Sequence, residues 1–292
     1  VATGCDMDSN CSTAVSGKFY FDNEAPDIKI NPMGTNNVWK KNQSVNIEVT
    51  DNIELDWSKY VVSTSKTATP NVAISNGLEN KNITGLTGDY YIVVKACDKL
   101  NNCNQINSDI YKFDNANPGI GNISVTPNAS TKKITSTVTV TDNVALAKYE
   151  IYNSSGTKVV DQPISGTSYN VSYQQNAAGT YKLRVYDHLN NYSEKSFTIP
   201  SYKVTFVAVN GTITPGTRTV NYGATTTATN TPTGGYHYNS LTCTNSQTAS
   251  HSNGTITTGA ITNNTTCTIT NVINSYTVTF ASNNTNMGTV SP

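Results

Sequence analysis

Charged residues are scarce in this 292-residue sequence, in which Asp, Glu, Lys and Arg together make up 13% of the chain. The 19 acidic and 19 basic side chains give a net charge of zero. This balance excludes the broad basic surface of a nucleic-acid-binding protein and a polybasic membrane-binding surface. Residues 201–292 contain no Asp or Glu, so acid/base catalysis by carboxylates is excluded there.

Long apolar runs are also missing. The longest run, Tyr90–Val94, is far too short to cross a bilayer, so we expect no membrane insertion in this segment. Residues 1–10 lack the basic and apolar regions of a signal peptide, which favours the mature or excised part of an exported protein.

Recognisable catalytic motifs are absent as well. The sequence has no Gly-x-Ser-x-Gly, His-Glu-x-x-His or Gly-x4-Gly-Lys-Ser/Thr pattern. The three histidines, His188, His237 and His251, are not spaced as metal ligands or as members of a catalytic triad. We therefore expect that this chain is not an enzyme and holds no cofactor, apart from the calcium considered below.

Uncharged polar residues take the place of the missing charge. The chain contains 45 Thr, 39 Asn and 27 Ser, which together are 111 of 292 residues. Thr favours strands and Asn favours turns, so the composition predicts an all-β protein. With 36% hydrophobic residues and 17 Tyr, the chain can bury several small cores.

The six cysteines fall into three local pairs without the CxxC spacing of a zinc site. We predict disulfides that join Cys5 to Cys11, Cys97 to Cys103 and Cys243 to Cys267. Such bonds indicate an oxidising compartment, so the expected localisation is extracellular, either secreted or on a bacterial cell surface. Redox catalysis by these cysteines is the alternative.

Internal repeats organise the first 200 residues. The segment Cys5–Cys11, with Asp after its first Cys, recurs 92 residues later as Cys97–Cys103 and again, diverged, as Tyr186–Tyr192. The linker Phe21–Pro26 returns as Phe113–Pro118. The repeat predicts a C-terminal remnant of one domain at 1–24 and whole domains at 25–115 and 116–200.

Each whole copy alternates apolar and polar residues with period two, as the strands of a β-sandwich do. The residues expected on inner faces precede the Asp-containing turns; they are Val45, Ile47, Val49, Tyr90, Ile92, Val94 and Ala96 in one copy, and Val138, Val140, Tyr181, Leu183 and Val185 in the other. A row of such domains predicts an elongated array.

These motifs carry a resemblance to a known family. The Thr50-Asp51-Asn52 turn, the Asp98-x-x-x-Asn102 turn and the Asp-Asn-x-Ala-Pro linker at 22–26 resemble those of bacterial Ig-like domains. The resemblance covers residues 1–200 and implies stalks and adhesins rather than catalysis.

A second type of repeat begins at Ser201. Ser201–Phe206 is matched 74 residues later by Ser275–Phe280, and Gly211–Pro215 is similar in sequence to Gly288–Pro292. With Val220–Ala224, these motifs are similar to the internalin B-repeat, which implies a small β-grasp-like module. We assign this module to 201–273 and the start of a further copy to 274–292.

Acidic turns suggest a metal site. In an Ig topology the entering linker and two loops share one pole, which would gather three Asp side chains before each whole domain. Calcium takes six to eight oxygen ligands, so each pole is a candidate calcium site. The candidates are Asp22, Asp51 and Asp98 at the first pole and Asp114, Asp142 and Asp187 at the second. Alternatively, Asp and Asn only stabilise the turns.

The leading hypothesis is a non-catalytic stalk or adhesin segment of a multidomain bacterial surface or secreted protein. The alternative is an accessory, carbohydrate-binding region of a secreted glycan-degrading enzyme; a filament subunit joined by strand donation is a third interpretation. Expected partners are neighbouring domains of the same chain and a host or environmental protein or glycan. Trp39 and Trp57 are either stacking residues for a sugar or core residues.

Overall fold

The structure is a computed structural model, and it describes residues 1–19 and 21–280. This part of the chain is all-β, with 27 strands and a single 3₁₀ turn, Ser75–Gly77. None of its helices is long and apolar enough to cross a membrane. The chain divides after Ala116 into two compact units.

The first unit begins with an exposed hairpin. Strands β1 (Ala2–Cys5) and β2 (Cys11–Ala14) pair in antiparallel register, with Cys5 opposite Cys11. Every residue of both strands is exposed. This hairpin is the segment that the repeat predicts to be the end of a preceding domain.

The rest of the first unit is an Ig-like sandwich. One sheet has the strand order β3-β5-β8 and the other has the order β4-β11-β9-β6-β7, with β10 also paired to β9. The strands are β3 (Asp27–Asn31), β4 (Trp39–Lys40), β5 (Asn42–Thr50), β6 (Leu55–Ser63), β7 (Val72–Ala73), β8 (Leu78–Thr84), β9 (Gly88–Asp98), β10 (Cys103–Asn107) and β11 (Tyr111–Phe113). All pairings are antiparallel except that between β4 and β11.

The predicted inner faces form the core of this sandwich. Ile47 on β5 and Ile92, Val94 and Ala96 on β9 are completely buried, and Tyr90 packs against their cluster. The predicted inner face is therefore confirmed, and Val93, on the other face of β9, is completely buried as well. Tyr111 closes the core by donating a hydrogen bond from its hydroxyl to the carbonyl of Pro32.

The second unit contains a similar sandwich. Its sheets have the orders β12-β14-β13, with β17 paired to β14, and β16-β15-β18-β19. The strands are β12 (Gly119–Ile120), β13 (Ser124–Asn128), β14 (Lys133–Thr141), β15 (Leu146–Tyr152), β16 (Lys158–Pro163), β17 (Ser168–Gln175), β18 (Gly179–Asp187) and β19 (Tyr192–Ile199). The predicted inner-face residues of β14 and β18 all belong to its core.

Two further four-stranded sheets follow in the same unit. The strands are β20 (Ser201–Val209), β21 (Gly211–Thr214), β22 (Thr217–Asn221), β23 (Thr227–Pro232), β24 (Tyr236–Cys243), β25 (Ala249–Ser252), β26 (Thr255–Thr258) and β27 (Thr265–Ile273). One sheet has the order β22-β20-β27-β24. Its two central strands, β20 and β27, are the first and last strands of this part of the chain and run parallel to each other. This order is the mixed-sheet arrangement of a β-grasp-like module. The other sheet has the order β21-β23-β26-β25.

The two parts of the second unit share a core. Only Pro200 separates β19 from β20. Tyr222, just after β22, is buried among residues of the Ig-like sandwich, and the amide of Ala178 donates to Asn221 Oδ1 at 2.9 Å. The motif around Val220–Ala224 therefore joins the module to the sandwich.

The segment after β27 contributes no strand up to residue 280. The remainder of the predicted further module, residues 281–292, lies outside the described residues.

Candidate functional site

The turn after β9 is built around one carboxylate. Asp98 Oδ1 accepts hydrogen bonds from the amides of Leu100 at 2.9 Å and Asn102 at 2.7 Å, and Asp98 Oδ2 accepts one from Asn102 Nδ2 at 2.7 Å. Asn101 adopts a φ of 65°, which Asn tolerates better than most residues. Burial opposes the charge on Asp98, but these hydrogen bonds outweigh it and lower the pKa of the carboxyl below its ordinary value.

The same turn occurs in the two other copies of the repeat. Asp187 Oδ1 accepts from the amides of Leu189 at 2.8 Å and Asn191 at 2.7 Å. Asp6 Oδ1 accepts from the amides of Asp8 at 3.0 Å and Asn10 at 2.8 Å. Hydrogen bonds from Asn10 lower the pKa of Asp6 as well. The Asp-x-x-x-Asn pattern thus encodes a self-contained hairpin turn.

The other acidic turn of each sandwich also uses its carboxylate locally. Asp51 Oδ2 accepts from the amides of Ile53 at 3.0 Å and Glu54 at 2.9 Å. In the second sandwich, Asp142 Oδ1 accepts from the amides of Val144 at 2.9 Å and Ala145 at 2.8 Å. Turn stabilisation is therefore one role of these carboxylates.

The first unit brings together the three candidates of the first pole. Oxygens of Asp22, Asp51 and Asp98 all lie within 4.8 Å of one another. Asp22 Oδ1 accepts from Asn52 Nδ2 at 3.1 Å, and the Asp22 carbonyl accepts from Asn102 Nδ2 at 3.0 Å. The linker and both acidic turns are thus tied together by hydrogen bonds.

One carboxylate oxygen in this group of three Asp residues lacks a hydrogen-bond partner in the described part of the chain. Asp51 Oδ1 is buried and has no hydrogen-bond partner among the described residues. An unpaired carboxylate oxygen inside a protein is costly unless a cation balances it. The donor set of three carboxylates with carbonyl and amide oxygens nearby is the hard-oxygen chemistry that calcium prefers. The residues therefore fit a calcium ion.

The candidates of the second pole divide between the units. Asp114 lies at the end of the first unit, where its amide donates to the Lys40 carbonyl at 3.0 Å and its Oδ1 accepts from the Ala116 amide at 3.2 Å. Asp142 and Asp187 lie on the second unit and are both buried. Asp142 Oδ2 has no hydrogen-bond partner among the described residues, as is true of Asp51 Oδ1.

All six cysteines form disulfides in the structure. The bonds join Cys5 to Cys11, Cys97 to Cys103 and Cys243 to Cys267, which are the pairs expected from the sequence. In each case the two residues are direct cross-strand partners. The bonds therefore fasten hairpins or neighbouring strands.

The histidines are dispersed. His188 lies in the turn after β18, His237 Nδ1 is 2.7 Å from Asn274 Oδ1, and His251 stacks on Tyr238 with ring centroids 4.1 Å apart. Trp39 and Trp57 are only half-buried, and a lysine side chain lies over each ring. Neither tryptophan belongs to the sandwich core.

Sequence reasoning did not identify a charged network on the outer face of the second sandwich. Glu150 on β15 is buried, and its Oε1 accepts from the ammonium groups of Lys148 at 2.6 Å and Lys158 at 3.2 Å. Its Oε2 accepts from the hydroxyls of Tyr152 at 2.7 Å and Tyr186 at 3.2 Å.

This network sets the ionisation of Glu150. Burial alone would raise the pKa, but the hydrogen bonds from Lys148, Tyr152 and Lys158 outweigh it and lower the pKa to about 2. In the sequence, Glu150 stands between Tyr149 and Ile151, which are both buried in the structure. Its position on the strand faces away from the core, and this is the signal that could have indicated a charged group on the outer face.

No protein-family model and no curated protein sequence matches this chain. Bovine butyrophilin is similar over 61% of this chain and 100% of its own, at 10% identity and a TM-score of 0.32. The N-terminal eight Ig domains of DSCAM isoform 1.30.30 match 84% of this chain and 40% of their own, at 12% identity and a TM-score of 0.24.

A bacterial structure is similar to the same degree. It is the Bacteroides ovatus mixed-linkage glucan utilization locus protein SGBP-B in complex with a mixed-linkage heptasaccharide. The alignment covers 84% of this chain and 62% of that chain, at 12% identity and a TM-score of 0.24. The chain thus spans less than two thirds of DSCAM and SGBP-B. The assignment of tandem Ig-like sandwiches rests on the strand orders described above.

Proposed function

We propose that this chain is a non-catalytic stalk or adhesin segment of a bacterial cell-surface or secreted protein, in which it spaces or presents a binding region. The observation that carries the proposal is the Asp-x-x-x-Asn hairpin turn. Three hairpins, at Asp6, Asp98 and Asp187, repeat the same carboxylate-to-amide hydrogen bonds. A chain that repeats one structural device suits a spacer better than a unique reaction centre.

The disulfides support an extracellular location. Bonds of this kind persist in oxidising compartments and are rare in the cytosol. All six cysteines take part, and two of the three bonds close hairpins, of which the one at Cys5–Cys11 is exposed along both of its strands.

The proposal is tested on cells that carry the native protein. Antibodies raised against the 292-residue chain should label intact cells or the culture medium, and protease added outside the cells should remove the cell-bound signal. Labelling that requires permeabilised cells would refute the surface or secreted location. The purified chain should show no glycan-degrading activity.

A second proposal concerns calcium at Asp22, Asp51 and Asp98. The carrying observation is the buried, unpaired Asp51 Oδ1 within a group of three carboxylates. A bound calcium would fix the linker to the two acidic turns. Residues 201–292, in contrast, have no carboxylate side chain to offer.

Calcium binding is tested by calorimetric titration and melting of the chelator-treated chain. Binding to the folded state alone stabilises it by about 2.7 kcal/mol at one hundred times the Kd. Asp51→Asn keeps an oxygen for the turn but removes a charge, so it should weaken the response. Asp56→Asn, on β6 outside the triad, should leave it unchanged. No heat and no melting shift would leave turn stabilisation as the role of these residues.

A further inference from the structure

Two lysines stand side by side on the outer face of the first sandwich. Lys59 on β6 is the direct cross-strand partner of Lys95 on β9, which is in turn opposite Gln105 on β10. Directly opposite residues have Cβ atoms about 4.5–5.5 Å apart, and like charges at this distance are destabilising. The fold thus keeps an unfavourable pair at this position.

No ion pair balances these charges within the described residues. The ammonium groups of Lys59, Lys95 and Lys66, the last of which follows β6, have no carboxylate oxygen within 4.0 Å in residues 1–19 and 21–280. Their neighbours include aromatic rings. Lys59 Nζ lies 5.5 Å from the ring centroid of Trp57, and Lys66 Nζ lies 4.9 Å from that of Tyr91.

In the second sandwich, the equivalent row of cross-strand partners combines residues of opposite charge. There Glu150 on β15 is opposite Arg184 on β18, and Arg184 is opposite Glu194 on β19. Arg184 forms an ion pair with Glu194, while Glu150 accepts from Lys148 and Lys158. Lys95 and Arg184 each precede the Asp of their turn by three residues, so the rows are equivalent. One row is charge-balanced and the other is left positive.

We propose that the lysine face, formed by Lys59, Lys66 and Lys95 with Trp57 and Tyr91, binds a linear polysaccharide that carries carboxylate or sulfate groups. The anionic groups would supply the missing counter-charge. The half-buried rings of Trp57 and Tyr91 offer apolar surface to sugar rings. The zero net charge of the protein favours such a local site over a nucleic-acid footprint.

This inference deepens the proposed adhesin role, and it can fail while the spacer role remains. The test titrates the full chain with three probes: oligogalacturonides, a heparin octasaccharide and neutral dextran. The carboxylated probe, the sulfated probe or both should bind, and dextran should not. The stronger of the two charged probes identifies the anionic group. Raising NaCl from about 50 to 300 mM should weaken binding about tenfold, because salt screens exposed charges.

The key variant is Lys59→Glu, which gives the first sandwich the opposite-charge pair seen in the second. It should weaken binding about tenfold or more. It should also raise the melting temperature, because Glu opposite Lys95 removes the like-charge repulsion. Lys29→Glu makes the same charge change on β3 of the other sheet and should leave binding unchanged.

Several outcomes would overturn the proposal. They are failure of both charged probes to bind, equal losses from Lys59→Glu and Lys29→Glu, and equally tight binding of a DNA oligonucleotide. If Lys59→Glu does not fold, the double variant Lys59→Gln and Lys95→Gln provides the same test with less perturbation. Unchanged binding by a folded double variant would equally exclude the lysine face.

Discussion

Tyr186 and Tyr192 lie opposite each other across β18 and β19, with ring centroids 5.6 Å apart. They occupy the positions that Cys97 and Cys103 hold in the first sandwich, on either side of the same Asp-x-x-x-Asn turn. The guanidinium of Arg184 lies 5.0 Å from the Tyr192 ring centroid. An aromatic pair with a cation above it thus replaces a covalent bond.

This replacement predicts different costs in the two sandwiches. Removing the bond with Cys97→Ala and Cys103→Ala should destabilise the first sandwich by about 2 kcal/mol, because the unfolded chain regains the freedom of a short loop. Tyr192→Ala should cost the second sandwich about 1 kcal/mol, since an aromatic pair contributes about 0.5–1.5 kcal/mol. Urea denaturation of each full-length variant measures both. A larger loss from Tyr192→Ala would contradict the ranking.

The Glu150 network predicts a dependence of stability on acid. The pKa of Glu150 is about 2 in the folded protein, below the ordinary value of 4.5, so the folded state binds this proton more weakly than the unfolded state. Its contribution, up to about 3 kcal/mol, is complete above about pH 4.5 and is lost as the pH falls towards 2.

Glu150→Gln keeps an oxygen for the tyrosine hydroxyls but removes this titration. Urea midpoints measured between pH 2 and 6 should fall less steeply with acid in this variant than in the wild type. Glu48→Gln, on β5 of the first sandwich, makes the same substitution outside this network and is the matched control. If Glu150→Gln preserved the slope, the charge network would not contribute to stability.

The burial of Tyr222 predicts that the sandwich and the following module depend on each other. Tyr222 is 3% exposed and lies 5.7 Å from Tyr202, centroid to centroid. Tyr222→Ala should therefore cost about 3 kcal/mol, as expected when a large buried ring is removed. Tyr276→Ala, at a side chain that is 81% exposed, should change the free energy of unfolding little. Equal effects of the two variants would show that the shared core contributes nothing.

The neighbouring glycine gives an independent check of this contact. Gly223 has a φ of 77°, and a Cβ placed on it would lie 2.8 Å from the carbonyl oxygen of Lys132. Gly223→Ala should thus destabilise the second unit by more than about 1 kcal/mol, through strain and collision with backbone. Gly234→Ala, where an added Cβ meets no atom within 4 Å, is the control.

Features with a local cause could be predicted from the sequence. The inner faces follow from alternation along single strands, and the Asp-x-x-x-Asn turns follow from hydrogen bonds within five residues. The Glu150 network has no such cause, because it depends on which residues of three strands share a row. That register is shifted by an irregularity between Leu146 and Lys148. The burial of Tyr222 likewise depends on packing across Pro200, where the composition changes and predicts only a boundary.

The Cys243–Cys267 bond limits how far the unfolded chain can be extended. It joins β24 to β27 across a sequence separation of 24 residues. A chain stretched from its ends cannot extend those residues while the bond is intact. At about 3.3–3.6 Å for each extended residue, reduction should lengthen the fully unfolded chain by about 80 Å from this bond. Cys97–Cys103, with a separation of 6, should add about 20 Å.

Single-molecule extension of the full chain, with and without reductant, measures these lengths. Cys243→Ala with Cys267→Ala should lose the step of about 80 Å and keep only the short reductant-dependent steps of the other two bonds. The Cys97→Ala and Cys103→Ala variant should retain the larger reductant-dependent step. If the wild-type chain reached its full length before reduction, the two cysteines would not be joined. The module at 201–273 would then have to keep β24 beside β27 by hydrogen bonds and packing alone.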